Sequence, residues 1–404
     1  MGYQQFTIKC FGCPRRDVDA ERIANYLVAN GLKRTSSDEE ADYLVVITCG
    51  LTQKQANDSI NCIVDFQKCK GRIFVYGCLP AMDPEKVKAV YQDRVLLTKD
   101  IEQLDDFFNL PIKFKDIPDA NKAIQPLSYF QKIKIKRESI IGYLPKVIEI
   151  LKHRLYSFLK KPSVEGLPGG IGFDNKFFTL RIAEGCAGSC SYCTIKKAIG
   201  RVRSKPVPVI LHELRAGLLK KNYRINIISS DTGAYGVDIG SSLPELLSAI
   251  LNENSKITIE FIQDLHPYWI CRYKEEMLKL IETKRIKSIL TAVQSGDERI
   301  LRLMNRHMEI NEFTCAIRQM KEIYPQLRLR TQVIVGFPAE TEEGVDATIT
   351  FLKKSKFDEI DLFAYYEVKG ADSENITPKV PRDIILQRIL RMEKSLNVAH
   401  RVIT

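Results

Sequence analysis

The chain has no apolar run approaching the ~20 residues that a membrane-spanning helix needs. Its first residues, MGYQQFTIKCFGC, lack the basic-then-apolar layout of a secretory signal, so the expectation is a cytoplasmic protein whose thiols stay reduced. The five histidines are scattered and offer no Ser-His-Asp arrangement. The glycines form no phosphate-binding P-loop, and Gly240 and Gly296 read as turn or terminating positions. With 45% hydrophobic and 27% charged residues, wholesale disorder is excluded, and 404 residues leave room for two or three domains. What the chain has in excess is cysteine and positive charge. Eleven cysteines, an odd number spread unevenly, argue against a disulfide scaffold and for metal ligation or redox chemistry. A formal net charge of +11 admits an anionic partner.

Residues 1–117 alternate strand and helix. Phe6–Lys9, Tyr43–Thr48 and Ile73–Tyr76 read as buried strands, and Asp19–Asn30 as a helix stopped by Gly31. Asp83-Pro84 opens another helix. This pattern implies a small parallel α/β domain. Residues 176–380 repeat the alternation six times, with strands at Phe178–Ile182, Arg224–Ile228, Ile257–Ile262, Ser288–Val293, Arg328–Val335 and Glu359–Tyr366. Helices such as Leu243–Asn252, Asn311–Ile323 and Thr341–Lys354 fill the gaps, which gives a partial (β/α)6 barrel. Residues 381–404 read as one C-terminal helix. The intervening segment, 118–175, is a linker or insertion. Its residues 122–161 hold ten Lys and Arg against Glu138 and Glu149, most of the excess charge of the whole chain. A solvated linker helix and a basic surface for an RNA backbone or an acidic peptide both account for it, and a membrane-surface helix is a third reading.

The cysteines fall into two sets. Cys186-x3-Cys190-x2-Cys193 directly follows the first barrel strand. Such a loop can curl so that three thiolates meet on one cubane, leaving one iron open to chelate an amine and a carboxylate. A closed zinc site would want a fourth ligand, and no further Cys or His lies nearby. Cys13, Cys49 and Cys78 are distant in sequence, yet each follows the carboxyl end of an expected strand. In an open parallel sheet those ends gather at one edge, where they could hold a second cluster or be three buried structural thiols. Cys10 competes with Cys13 for the role. Cys62, Cys69, Cys271 and Cys315 fall in helical stretches and read as core or surface residues.

The Cys186, Cys190 and Cys193 spacing, with Tyr192 before the last cysteine, resembles the signature of radical S-adenosylmethionine (SAM) enzymes, in which it sits on a partial barrel. Together the two sets resemble the methylthiotransferase family of those enzymes over nearly the whole chain. Further matching stretches are Gly200–Pro206, Asp231–Gly236, Val293–Gly296, Met304-Asn-Arg306 and Val335–Thr341. The run Ser229–Gly240 with Leu243–Leu247 looks most like the branch that modifies threonylcarbamoyladenosine in tRNA.

The resemblance implies two 4Fe-4S clusters, an auxiliary one on Cys13, Cys49 and Cys78 and one on Cys186, Cys190 and Cys193 that binds SAM. One SAM would methylate a sulfur at the auxiliary cluster. A second would be split to a 5′-deoxyadenosyl radical, and a methylthio group would replace hydrogen at an unactivated carbon. The implied partners are tRNA and an electron donor such as flavodoxin or ferredoxin. Asp231, Gln294 and Ser295, at barrel-strand ends, are the candidate SAM contacts, and loop capping is the alternative role for each. Arg16 and Ile47 stand where the family usually has Asn, Glu367–Asp372 replaces a Pro-Arg-Pro-Gly-Thr-like stretch, and the short stretch after Pro381, read as one helix, gives no expectation of the RNA-binding domain with which tRNA-acting members usually end. These departures carry the alternative of a protein or peptide substrate, and a noncatalytic iron–sulfur protein is a third reading.

Overall fold

A computed structural model describes residues 3–120, 177–396 and 399–403. Residues 3–120 and the chain from 177 onward pack as one compact unit. The basic segment 122–161 lies outside the described residues. No helix among the described residues is long and apolar enough to cross a membrane.

The first sheet contains β1 (Gln5–Cys10), β2 (Lys33–Arg34), β3 (Tyr43–Thr48), β4 (Arg72–Gly77) and β5 (Val95–Leu97), all parallel, in the order β2-β1-β3-β4-β5. Every residue of β3 is buried, as a central strand covered on both faces must be. Val45 and Ile47 pack on one side with Ile23 and Leu27 of the helix Pro14–Ala29. Leu44 and Val46 pack on the other with Ile63 and Phe66 of the helix Gln53–Phe66. The first helix starts five residues earlier than its apolar pattern suggests. Pro14 occupies its first turn and Cys13 is its N-cap, a signal that the apolar spacing alone does not carry.

The second sheet is an open parallel barrel. Its strands are β6 (Phe178–Arg181), then, past the short antiparallel pair β7 (Ala183–Glu184) and β8 (Arg203–Ser204), β9 (Arg224–Ile228), β10 (Thr258–Ile262), β11 (Ser288–Leu290), β12 (Arg328–Val335), β13 (Glu359–Ala364) and β14 (Ala399–Ile403). Their order is β14-β13-β12-β11-β10-β9-β6. The six expected strands are present. The expected C-terminal helix holds over Arg382–Ser395, but the chain then adds β14, a seventh strand paired with β13. The sequence Ala-His-Arg-Val-Ile is too short and too mixed in polarity to announce it. Strand β11 stops at Leu290, short of the expected Val293. There the Thr331 hydroxyl enters the ladder, donating to the Thr291 carbonyl at 2.7 Å and accepting from the Val293 amide at 3.3 Å. One core runs under the barrel, joining Leu246 and Ile250, Phe313 and Ile317, and Ile385 and Ile389 from three helices, so the C-terminal helix belongs to this domain.

Candidate active site

Three thiols meet at the carboxyl edge of the first sheet. Cys13 caps the helix Pro14–Ala29, Cys49 directly follows β3, and Cys78 directly follows β4 and caps the short helix Leu79–Met82. Cys49 lies within electrostatic reach of Cys13 and Cys78, and Cys78 within reach of Cys13. The Cys49 amide is fixed by the Ser59 hydroxyl at 3.1 Å. Cys10 is turned to the inner core with Ile8 and Leu96 and interacts with Asp17, so Cys13 and not Cys10 completes the trio. Burial pushes the Cys49 thiol up to about 12 and the Cys78 thiol up to about 11.

The second trio also closes. Cys186, Cys190 and Cys193 lie within electrostatic reach of one another. A side-chain carbon at Gly188 would lie 3.4 Å from Cys186 Sγ and 3.8 Å from Cys190 Sγ, so this glycine leaves both sulfurs uncovered. Burial, and then Asp231, push Cys186 up to about 12. All eleven cysteines are free. Among the described residues, no His, Cys, Asp or Glu trio is tight enough to grip a single metal ion. A 4Fe-4S cubane takes one thiolate per iron, so three convergent thiols are the donor set it would need.

Arg15 places the two trios at one mouth. Its Nη1 donates to the Ser229 carbonyl at 3.0 Å and to the Asp264 carboxylate, residues just past β9 and β10, while its guanidinium lies beside Cys13. Beneath it runs a buried ionic network. Arg16 pairs with Asp19 at 2.6 Å and donates to Tyr76 Oη at 2.8 Å, and Tyr76 donates to Asp19 at 2.7 Å. Arg181, at the end of β6, pairs with Asp19, Asp119 and Glu184. Burial pulls the Asp119 carboxyl up, but Arg181 and Lys205 outweigh it and hold the group well below the usual carboxylate range.

The three candidate SAM contacts separate by geometry. Asp231 accepts from the Ala187 amide at 3.3 Å and the Trp269 indole at 3.0 Å, and its carboxylate lies 3.6 Å from Cys186 Sγ. It therefore ties β9 to the cysteine loop. A Cβ at Gly233 would lie 2.3 Å from the Trp269 ring, so the glycine is what lets the indole reach Asp231. Ser295 is occupied: its hydroxyl lies 3.3 Å from that of Thr348 and accepts from the Asp297 amide at 3.1 Å, a capping role rather than a free group at the mouth. Gln294 differs, with a left-handed φ of 68° and a buried Oε1 that has no partner among the described residues. Asn226 Oδ1, Gln263 Nε2 and Thr291 Oγ1 are likewise buried and unpartnered among those residues. These four orphaned atoms belong to three neighbouring strands and the turns that follow them, an arrangement a polar ligand satisfies. On the far side of the loop the buried Arg306 donates to Cys190 Sγ at 3.3 Å and to Tyr192 Oη at 3.1 Å. Arg15, Trp269, Asn226, Gln263 and Thr291 were not marked by spacing. Arg306 stood in the Met304-Asn-Arg306 stretch without a role.

Comparisons with known proteins agree with this layout. The Radical SAM superfamily model matches residues 180–352, and the model described as Uncharacterized protein family UPF0004 matches residues 5–98. Ribosomal protein uS12 methylthiotransferase RimO of Thermus thermophilus is 27% identical over 394 residues, 94% of this chain and 80% of its own length. Its counterpart of the same name from Shigella sonnei is 28% identical over 388 residues, 93% of this chain and 78% of its own. Among solved structures, the radical SAM methyltransferase TsrM of Kitasatospora setae superposes with a TM-score of 0.58 over 89% of this chain and 75% of its own, at 10% identity. The cobalamin-dependent radical enzyme OxsB superposes at 0.53 over 98% of this chain and 56% of its own, at 14% identity. Both share the fold. The expected likeness to the tRNA branch is not supported, because the relatives' names state a ribosomal protein. The run that suggested tRNA, Ser229–Gly240, has architectural uses instead: Asp231 and Gly233 as described, Gly236 at φ 88°, and Asp238 accepting the Ser204 amide at 2.8 Å.

Proposed function

We propose that this chain, a radical SAM methylthiotransferase working with two 4Fe-4S clusters and SAM, inserts a methylthio group into a side chain of a protein, with ribosomal protein uS12 as the first candidate. The substrate follows from the relatives' names. The observation that carries the chemistry is Arg15, which joins the Cys13, Cys49 and Cys78 edge to the barrel mouth beside the Cys186 loop. In this reading the first trio holds the auxiliary cluster and the second holds the cluster that binds SAM. When bound, these groups supply one-electron cleavage, C–H activation and sulfur, which no side chain here provides. The chain's own residues orient them. Asp231 and Trp269 fix the loop at Cys186, Arg306 fixes it at Cys190, and Gln294, Asn226 and Gln263 offer their unpartnered polar atoms to SAM.

The test is incubation of the reconstituted enzyme with uS12 or intact ribosomes, and separately with tRNA, followed by mass spectrometry of peptides and nucleosides. A uS12 peptide gaining CH2S is the expected product. A methylthiolated nucleoside with no modified peptide would overturn the substrate. Iron analysis tests the sites themselves. Two clusters give about eight irons per chain, and alanine at Cys186, Cys190 and Cys193 should leave about four and abolish SAM cleavage. Alanine at Cys13, Cys49 and Cys78 should also leave about four irons, with 5′-deoxyadenosine still formed and no methylthio product.

A further inference from the structure

We propose that His266 is a positioning residue for the protein substrate, its Nε2–H donating to an oxygen of the peptide that enters between the two cysteine trios. The inference deepens the methylthio transfer proposed above and rests on it. One carbon must lose hydrogen on the Cys186 side and gain sulfur from the Cys13 side, so the peptide has to lie where both reach it. His266 stands on a turn that touches both sides. The turn follows β10 and is held from its two neighbours. Thr232, past β9, donates its hydroxyl to the Gln263 carbonyl and its amide to the Asp264 carbonyl at 3.2 Å. The Leu265 amide donates to the Leu290 carbonyl, at the end of β11, at 3.0 Å. Asp264 takes a left-handed φ of 50°, and its carboxylate accepts from Arg15, whose guanidinium lies beside Cys13. Two residues on, the His266 ring lies within electrostatic reach of Arg306, which donates to Cys190 Sγ at 3.3 Å.

The ring's own bonding fixes what it offers. Its Nδ1 accepts from the Tyr268 amide at 3.1 Å, so this nitrogen carries no proton. Burial, and then Arg306 and His307, push the imidazole down to about 2, which leaves the ring neutral with its proton on Nε2. The ring is half-buried, and Nε2–H meets no acceptor among the described residues. The two nearby cations are already engaged. Arg15 donates to Asp264 and Ser229, and Arg306 to Cys190, Tyr192 and Ala292. His266 is thus a free neutral donor on a rigid turn, suited to hold a peptide oxygen in one place. It moves no proton and forms no bond. An oxygen of SAM would also meet this donor. The turn shared with Asp264, and through it the sulfur side, favours the peptide.

Two variants divide the ring. His266→Asn keeps an oxygen where Nδ1 caps the Tyr268 amide but lacks the distal N–H. His266→Gln carries an amide N–H near the place of Nε2 but loses the cap. With uS12 as substrate, His266→Asn should raise the KM for uS12 about three- to tenfold, the effect of one lost hydrogen bond, and leave the KM for SAM unchanged. It should also form more 5′-deoxyadenosine per methylthio group. His266→Gln should recover most of both. Stability to urea should follow the opposite order, since the cap is what His266→Gln loses. A parent-like uS12 KM in His266→Asn overturns the proposal, as does a loss in both variants that tracks stability, or a rise in the KM for SAM alone. Anisotropy of labelled uS12 with the iron-loaded enzyme separates the proposal from its premise. If the parent binds uS12 but forms no methylthio product, the reaction falls, while the contrast in affinity between the two variants still judges His266. A parent that does not bind uS12 overturns the proposal.

Discussion

At the scale of single residues, the site is built by side chains that restrain the cysteines as much as by the cysteines. Arg306 is buried, and its guanidinium donates to a thiol sulfur, a tyrosine hydroxyl and the Ala292 carbonyl at once. A cation donating to a ligand sulfur stabilises the more negative, reduced state of a cluster. Arg306→Met should therefore move the potential of the cluster proposed on Cys186, Cys190 and Cys193 to more negative values, read by an electron-paramagnetic-resonance redox titration. It should also cost roughly 1.5–3 kcal/mol of stability, the worth of a charged hydrogen bond, with Arg306→Lys recovering part of both. An unchanged potential in Arg306→Met would leave the residue a structural role alone. The placement of the six cysteines was legible in the sequence, three in one loop and three after strand ends. The role of Arg306 was not, because Cys190 and Tyr192, which it meets at the loop, lie 116 and 114 residues away.

At the scale of elements, the same turns that end strands also begin helices, which is why the sites sit where they do. The stretch Val335–Thr341 shows how a motif can be architectural. Gly336 takes a φ of 84°, and a Cβ there would lie 2.2 Å from Ile385 of the C-terminal helix. Its amide donates to Glu340 Oε2 at 2.7 Å, and Glu340 also meets Arg388 at 3.1 Å. Burial pushes the Glu340 carboxyl up to about 7, although the Gly336 amide and Arg388 pull it down. Between its ordinary 4.5 and about 7 the folded chain keeps a proton that the unfolded chain has released. Stability should then fall as pH rises through that window, by the linkage between proton uptake and folding. Glu340→Gln removes the titrating group, so urea denaturation across pH 5 to 8 should show a flatter slope than the parent, by up to about one proton. Boundaries were less legible than elements: Thr331 shortened β11 from the neighbouring strand, and β14 carried no periodic signal.

At the scale of the whole molecule, the first sheet and the barrel are held in register by charge buried between them. Sequence reading separated the two domains at 117 and 176 but could not see this tie, since Asp19 and Arg181 are 162 residues apart. Arg16, which departs from the family's usual Asn, is absorbed into it through Asp19 and Tyr76. Removing one partner from such a network leaves an uncompensated buried charge, which costs about 3–5 kcal/mol. Arg181→Met removes one cation from Asp19, which keeps Arg16, and one from Asp119, which keeps Lys205, and should show a part of that loss in a denaturant titration. Asp19→Asn keeps a hydrogen-bonding group of the same size, and should cost less. The functional consequence separates a coupling role from a merely stabilising one. Asp19→Asn should still load about eight irons and cleave SAM, because neither trio is touched. With the two domains less firmly registered, more 5′-deoxyadenosine should form for each methylthio group inserted. Equal ratios in parent and variant would mean that the network stabilises the fold without setting the distance between the two clusters.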